Sequence, residues 1–281
     1  MILRDFKEHL RAQAKSKYTI YQFCSDVKMY FKKYRSFSTI NVQKFIDAQI
    51  LNGKDPKTAY GKSLSLKHYG KFIGQPLGKL SVPKTKRRID KINVISESEI
   101  IKTREWMNRI SKSDGYEANR DKIILLLLNI GLRRGEVLSI KVQDVDFNSN
   151  HIKFVGKGSK GAFASMYNRA GDIRDYIELR NSFNPETDNL LMCKYWGTWK
   201  RMNAKEFYDI VQRRTTEILN KYVNPHAFRH TFATLMLDDG ADLRVVQEGL
   251  RHSSIVTTQV YTHVSTERVR SEVEKHHPLF R

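Results

Sequence analysis

The sequence predicts a mainly α-helical protein in two parts: a smaller all-helical domain, and a larger, mostly helical domain with one small antiparallel β-sheet. Three observations predict this. Apolar residues recur at three- and four-residue intervals through most of the 281 residues. Strict alternation is confined to His151–Val155 and Ala162–Met166, on either side of a glycine-rich turn. Between Gly74 and Val94 the helical pattern gives way to Gly74, Pro76, Gly78 and Pro83, then to Lys84, Lys86, Arg87 and Arg88. That composition marks a linker. The predicted parts are therefore residues 1–76, a basic linker at 77–95, and residues 96–281.

In the first part, Phe6, Leu10 and Ala14 share one helical face, and Tyr21, Cys24, Val27, Tyr30 and Phe31 suggest a second helix. Val42–Leu51 is a third, closed by Asn52-Gly53. Asp55-Pro56 opens a fourth, since Asp accepts from the first amides and Pro fits the first turn. Its apolar face reads as Tyr60, Leu64, Leu66, Tyr69, Phe72 and Ile73. The second part opens with a capping box, Ser96 with Glu99. Lys122–Ile130 is apolar enough for a buried helix and stops at Gly131. After the β-hairpin come helices over Asp172–Arg180, Asn203–Leu219 and Pro225–Asp239. Asp242 then caps Leu243–Leu250, and Glu267–His276 is the last helix.

The formal charge of +20 is unevenly spread: residues 1–95 hold 21 Lys/Arg against 6 Asp/Glu, and residues 96–281 hold 29 against 24. A folded segment that basic, with Tyr18, Tyr21, Tyr30 and Tyr34 among its lysines, has the electrostatic footprint of a nucleic-acid binder. At 40% hydrophobic residues the chain can bury real cores, which excludes a disordered basic protein. Its longest apolar run, Ile123–Leu128, is far shorter than the ~20 residues of a membrane span. Cys24 and Cys193 lack metal-ligand spacing, and the charged stretch Met1–Leu10 is no signal peptide. A cytoplasmic protein with free thiols is expected, with no membrane partner.

The chemistry concentrates between His226 and Val264. His226 and Arg229 form an H-x-x-R pair one helical turn apart, Arg251 and His252 follow, and Tyr261 stands nine residues after His252. A guanidinium grips phosphate oxygens in a planar fork, imidazoles donate or accept protons near neutral pH, and a phenol can form a covalent intermediate. Together they suit holding a phosphodiester while the phenol attacks it. Zinc binding by His226 and His230 is disfavoured, because no Glu lies between them and the arginines repel a cation. His230 reads as a core or supporting residue.

This stretch resembles the tyrosine recombinases (the lambda-integrase family), and most closely their Xer subgroup, including the archaeal XerA type. The matching words are HAFRHTFAT, ADLRVVQ and HSSIVTTQVYTHV. The resemblance implies two further residues upstream. Gly131-Leu132-Arg133-Arg134-Gly135-Glu136 matches the family's arginine turn, so Arg133 is the catalytic arginine. Gly156-Lys157-Gly158 matches the hairpin that carries its lysine. It also implies a fold, with residues 1–76 as a core-binding domain that clasps DNA. The C-terminal helix would dock on a neighbouring protomer in a tetramer on two double-stranded DNA sites. Tyr261 would attack a backbone phosphate to give a 3′-phosphotyrosyl link and a free 5′-hydroxyl. Arg133, Arg229 and His252 would stabilise the phosphorane-like transition state. His226 would accept the phenolic proton and Lys157 would protonate the leaving oxygen. No cofactor or metal is implied. Lys84, Lys86, Arg87, Arg88 and Lys160 would contact the DNA backbone. Two departures stand out: the Lys-x-Arg that often follows the hairpin lacks its arginine, and Gly249-Leu250-Arg251-His252 replaces Leu-Leu-Gly-His.

The Xer wording suggests resolution of chromosome dimers at a dif-like site, with integration of a virus or mobile element as the rival. A paralogous recombinase or a DNA translocase remains open as a partner. So do two other classes, a type IB topoisomerase and a non-catalytic helix-turn-helix DNA-binding protein.

Overall fold

The computed structural model describes residues 2–82, 95–156, 161–250 and 266–280. It divides into two compact units, Met1–Asp90 and Lys91–Arg281.

The first unit holds α1 (Ile2–Ala12), α2 (Lys17–Phe31), α3 (Thr39–Leu51) and α4 (Pro56–Phe72). Ser16, Ser38 and Asp55 each cap the following helix by accepting a backbone N–H. The core is Phe6, Leu10, Val27, Tyr30, Phe45, Ile46, Leu66 and Tyr69. Two of the expected faces are rotated. On α2 the buried stripe is Ile20, Phe23, Val27 and Tyr30, while Tyr21 is 72% exposed. On α4, Ala59, Ser63 and Leu66 turn inward, and Tyr60 and Leu64 are exposed. Tyr30 is thus a core residue, donating its hydroxyl to Ser36 O at 2.8 Å, while Tyr18, Tyr21 and Tyr60 offer rings to solvent. Ala14 lies beyond the end of α1 with φ of 52°. A buried carboxylate pins α2 to α4: Asp26 accepts from Ser65 Oγ at 2.7 Å and pairs with Lys62 at 3.5 Å.

The second unit is built around α6. Its elements in order are α5 (Glu97–Arg109), α6 (Gly115–Asn129), α7 (Arg134–Val137), β1 (Val145–Asp146), β2 (His151–Val155), β3 (Gly161–Ser165) and α8 (Ala170–Asn181). They continue with β4 (Met192–Tyr195), β5 (Thr198–Arg201), α9 (Ala204–Leu219), α10 (Pro225–Asp238), α11 (Leu243–Gly249) and α12 (Thr266–His276). Every residue of α6 from Asn119 to Asn129 is buried, which is why its sequence from Ile123 to Leu128 is apolar on all sides rather than amphipathic. At its polar end, Asp121 accepts from Arg120, Arg213 and Arg214, so a fully buried carboxylate joins α6 to α9.

Strands β1, β2 and β3 form one antiparallel sheet, with Val155 opposite Gly161 at the open end of the hairpin. The expectation of a single sheet needs correction: β4 and β5 form a second antiparallel hairpin. Trp196 (φ 44°) and Gly197 (φ 87°) make its two-residue turn, the left-handed pair that suits the twist of flanking strands. Cys193, on β4, is buried, and its thiol pKa is pushed up to about 12, chiefly by that burial.

The C-terminal residues pack on their own unit. Val273, Leu279 and Phe280 are buried, the Phe280 ring meets Tyr167 at 4.5 Å, and Arg104 Nη1 donates to Pro278 O at 2.7 Å. The docking that the family resemblance assigned to a neighbouring protomer is made in cis in this single chain.

Candidate active site

The arginine turn begins where α6 ends. Gly131 has φ of +83°, and a Cβ there would lie 2.9 Å from Leu250 Cδ2 and 3.6 Å from the Phe232 ring, so both conformation and space demand glycine. Leu132 is buried, and Arg133 follows in extended conformation just before α7. The Glu136 carboxylate, itself 5% exposed, accepts from the Arg133 backbone N–H at 2.8 Å and from its Nη1 at 2.7 Å. One carboxylate therefore satisfies an orphan amide at the helix start and aims the guanidinium. The Arg133 side chain stays 30% exposed, at the surface where an anionic ligand can reach it. Glu136 is a positioning residue absent from the sequence-predicted set. Its signal was there, as an acid three residues after the arginine.

The neighbouring Arg134 points elsewhere. Its guanidinium lies over the Tyr208 ring of α9, 4.9 Å from the centroid.

Helix α10 carries the H-x-x-R pair. Asn224 caps it, accepting from the His226 N–H at 2.9 Å, and Pro225 fills its first turn. Arg229 is 7% exposed and bonds two backbone carbonyls far apart in the chain. Nη1 donates to Gly131 O at 2.6 Å, and Nη2 donates to Leu250 O. The first carbonyl belongs to the turn of Arg133. The second closes α11, two residues before His252. Arg229 thus fastens α10 to both neighbouring segments.

His226 lies one turn earlier and is exposed at the helix surface, as is His230 beyond it, which excludes the core alternative for His230 and leaves the supporting one. Its pKa is lowered from the ordinary value, first by partial burial and then by the positive charge of Arg134, followed by His230, Arg133 and Arg229. An imidazole held neutral beside cations is a proton acceptor. Three of the predicted residues, Arg133, His226 and Arg229, thus share one region. Lys157, His252 and Tyr261 lie outside the described residues, as do Lys84, Lys86, Arg87, Arg88, Lys160 and Arg251. Gly249 is at the end of α11, where a Cβ would approach Val269 Cγ1 of α12 to 3.3 Å. Its small size there lets the two helices pack closely.

Residues 82–268 match the phage integrase family. The chain is 31% identical to the tyrosine recombinase XerA of Pyrococcus horikoshii, over 98% of this chain and 93% of that protein. It is 30% identical to the tyrosine recombinase XerC of Corynebacterium glutamicum, over 99% of this chain and 92% of that one. In fold it resembles the crystal structure of a lambda integrase (75–356) dimer bound to a COC′ core site. The TM-score is 0.62 at 12% identity, over 94% of this chain and 98% of that chain.

Proposed function

This chain belongs to the phage integrase family, as a tyrosine recombinase of the Xer subgroup, and from that premise we propose that it recombines double-stranded DNA with Tyr261 as nucleophile. The observation that carries the assignment of the site is Arg229, whose guanidinium bonds the turn of Arg133 and the end of α11 at once. In the proposed reaction a DNA phosphate sits against Arg133 and Arg229. The Tyr261 oxygen attacks phosphorus, the phenolic proton passes to His226, and the 5′-oxygen leaves with a proton from Lys157. His252 donates to a non-bridging oxygen. Loss of one such donor typically costs ~10²–10³ in rate. The phosphotyrosyl bond conserves the energy of the phosphodiester, so a second 5′-hydroxyl reverses the step and joins new partners without ATP.

Residues 1–76 would clasp the duplex from one side, and Lys84, Lys86, Arg87, Arg88 and Lys160 would meet its backbone. The charge of the N-terminal part supports this, because each neutralised phosphate releases counterions. Four protomers on two sites complete the exchange, and the Xer relationship supports resolution of chromosome dimers at a dif-like sequence in the cytoplasm. The test is covalent capture. On a suicide duplex in EDTA the wild type forms a protein–DNA adduct, while Tyr261→Phe binds equally and forms none. An adduct undiminished in that variant refutes the nucleophile.

A further inference from the structure

Arg134 is set apart from most arginines of this site by what it lacks. Arg133 pairs with Glu136, Arg229 with two carbonyls, Arg201 with Leu138 O, and Arg213 and Arg214 with Asp121. The Arg134 side chain has no hydrogen bond or ion pair among the described residues, only the Tyr208 ring beneath it. A guanidinium held over an aromatic ring by its charge spends none of its five N–H donors on a conventional acceptor. The ring therefore holds the guanidinium in place while leaving its hydrogen-bonding capacity for another group. The Tyr208 hydroxyl likewise has no partner among the described residues.

Two further features place this pair beside the reaction. Arg134 is adjacent in sequence to Arg133, and its charge is the foremost of those acting on His226. No acidic group among the described residues neutralises Arg134. A half-buried, oriented and unpaired cation on a DNA-cleaving surface is organised for an anion that arrives with the substrate.

Accepting the reading of Arg133 above, we infer that Arg134 and the Tyr208 hydroxyl form a second phosphate subsite, which grips a phosphate neighbouring the scissile one. Successive phosphates of one strand advance ~3.4 Å along the duplex axis, a step that two consecutive arginine side chains can match. The subsite fixes the register of the strand over Arg133, so its contribution is to binding and alignment rather than to bond breaking.

The test uses the full chain carrying Tyr261→Phe, to isolate binding, and a duplex bearing the cleavage site mapped by covalent capture with the wild type. Arg134→Ala should reduce the log–log salt slope by about 0.9, the loss of one phosphate contact, and weaken binding roughly ten-fold. Methylphosphonate placed at each phosphate in turn should weaken binding by the parent, and at one position flanking the scissile phosphate Arg134→Ala should show no further loss. Tyr208→Phe keeps the ring and the charge, so it should leave the slope intact while losing a few-fold in affinity. A structural role alone would move the melting temperature and neither the slope nor the position-specific pattern. If Arg134→Ala keeps both, the subsite does not exist. An Arg133→Ala protein, with Tyr261 intact, that cleaves normally would instead sink the catalytic assignment, while the methylphosphonate map still decides Arg134.

Discussion

Replacing Arg229 with alanine should unfold the catalytic unit at a markedly lower temperature as well as stop cleavage. The side chain is 7% exposed and donates to Gly131 O and Leu250 O. A hydrogen bond from a charged donor contributes ~1.5–3 kcal/mol, and removing it leaves a buried carbonyl without that donor. Two such bonds, less the relief of no longer burying a charge, give a loss of about 3–5 kcal/mol. For a domain of this size each kcal/mol lowers the melting temperature by ~2–4 °C, so a fall of about 6–20 °C is expected. Arg229→Lys keeps the charge but cannot span both carbonyls, and should fall in between. The assay is calorimetry of the full chain, following the transition of residues 91–281, with Tyr261→Phe as an inactive but intact control. An Arg229→Ala protein that has lost cleavage yet melts within ~2 °C of the wild type refutes the reasoning. Arg229 would then touch the phosphate alone.

The lowered pKa of His226 gives a pH profile with a definite sign: with the neutral imidazole as the proposed base, cleavage should fall only as pH drops below the ordinary histidine value of ~6.5. Arg134→Ala removes a positive neighbour and should move that acidic limb upward; a limb unmoved in the variant argues against the proximity. Lys157→Ala should cleave ~10²–10⁴-fold more slowly. A bridging 5′-sulfur, which leaves without a proton, should restore that variant and not Lys160→Ala; the opposite pattern makes Lys160 the acid. Deleting residues 268–281 exposes the seats of Val273, Leu279 and Phe280, each worth ~1.5–3 kcal/mol, and should lower the melting temperature even without DNA. An unchanged melting curve would mean that the cis docking adds nothing in solution.

Much of the helical punctuation was readable in the chain because its causes are local. Asp55-Pro56, Ser96 with Glu99, and Asp242 each satisfy amides within three residues of themselves, so their sequence words carry their geometry. The family words of the site are legible for a similar reason, since chemistry demands particular residue types at set spacings. The two-residue turn between β4 and β5 was missed, because four-residue strands joined by Trp196-Gly197 carry no strong pairing signal. The faces of α2 and α4 were misjudged by a fraction of a turn. Tyr21 and Tyr30 both fit an amphipathic spacing, and only the neighbouring helices decide which ring is covered.

What tertiary structure decided is which groups far apart in the chain become partners. The H-x-x-R spacing singles out Arg229 as a candidate site arginine, but does not reveal its bonds to carbonyls 98 and 21 residues away. Nor does it reveal the different partners of Arg133 and Arg134, Glu136 for one guanidinium and the Tyr208 ring of α9 for the other. The seats that Val273, Leu279 and Phe280 find on their own unit belong to the same class. A short helix has too little apolar surface to stand alone, and its sequence does not say whose core will accept it. Local hydrogen bonding is written into a few adjacent residues. Long-range pairing depends on which surfaces remain uncovered once the rest of the chain has packed.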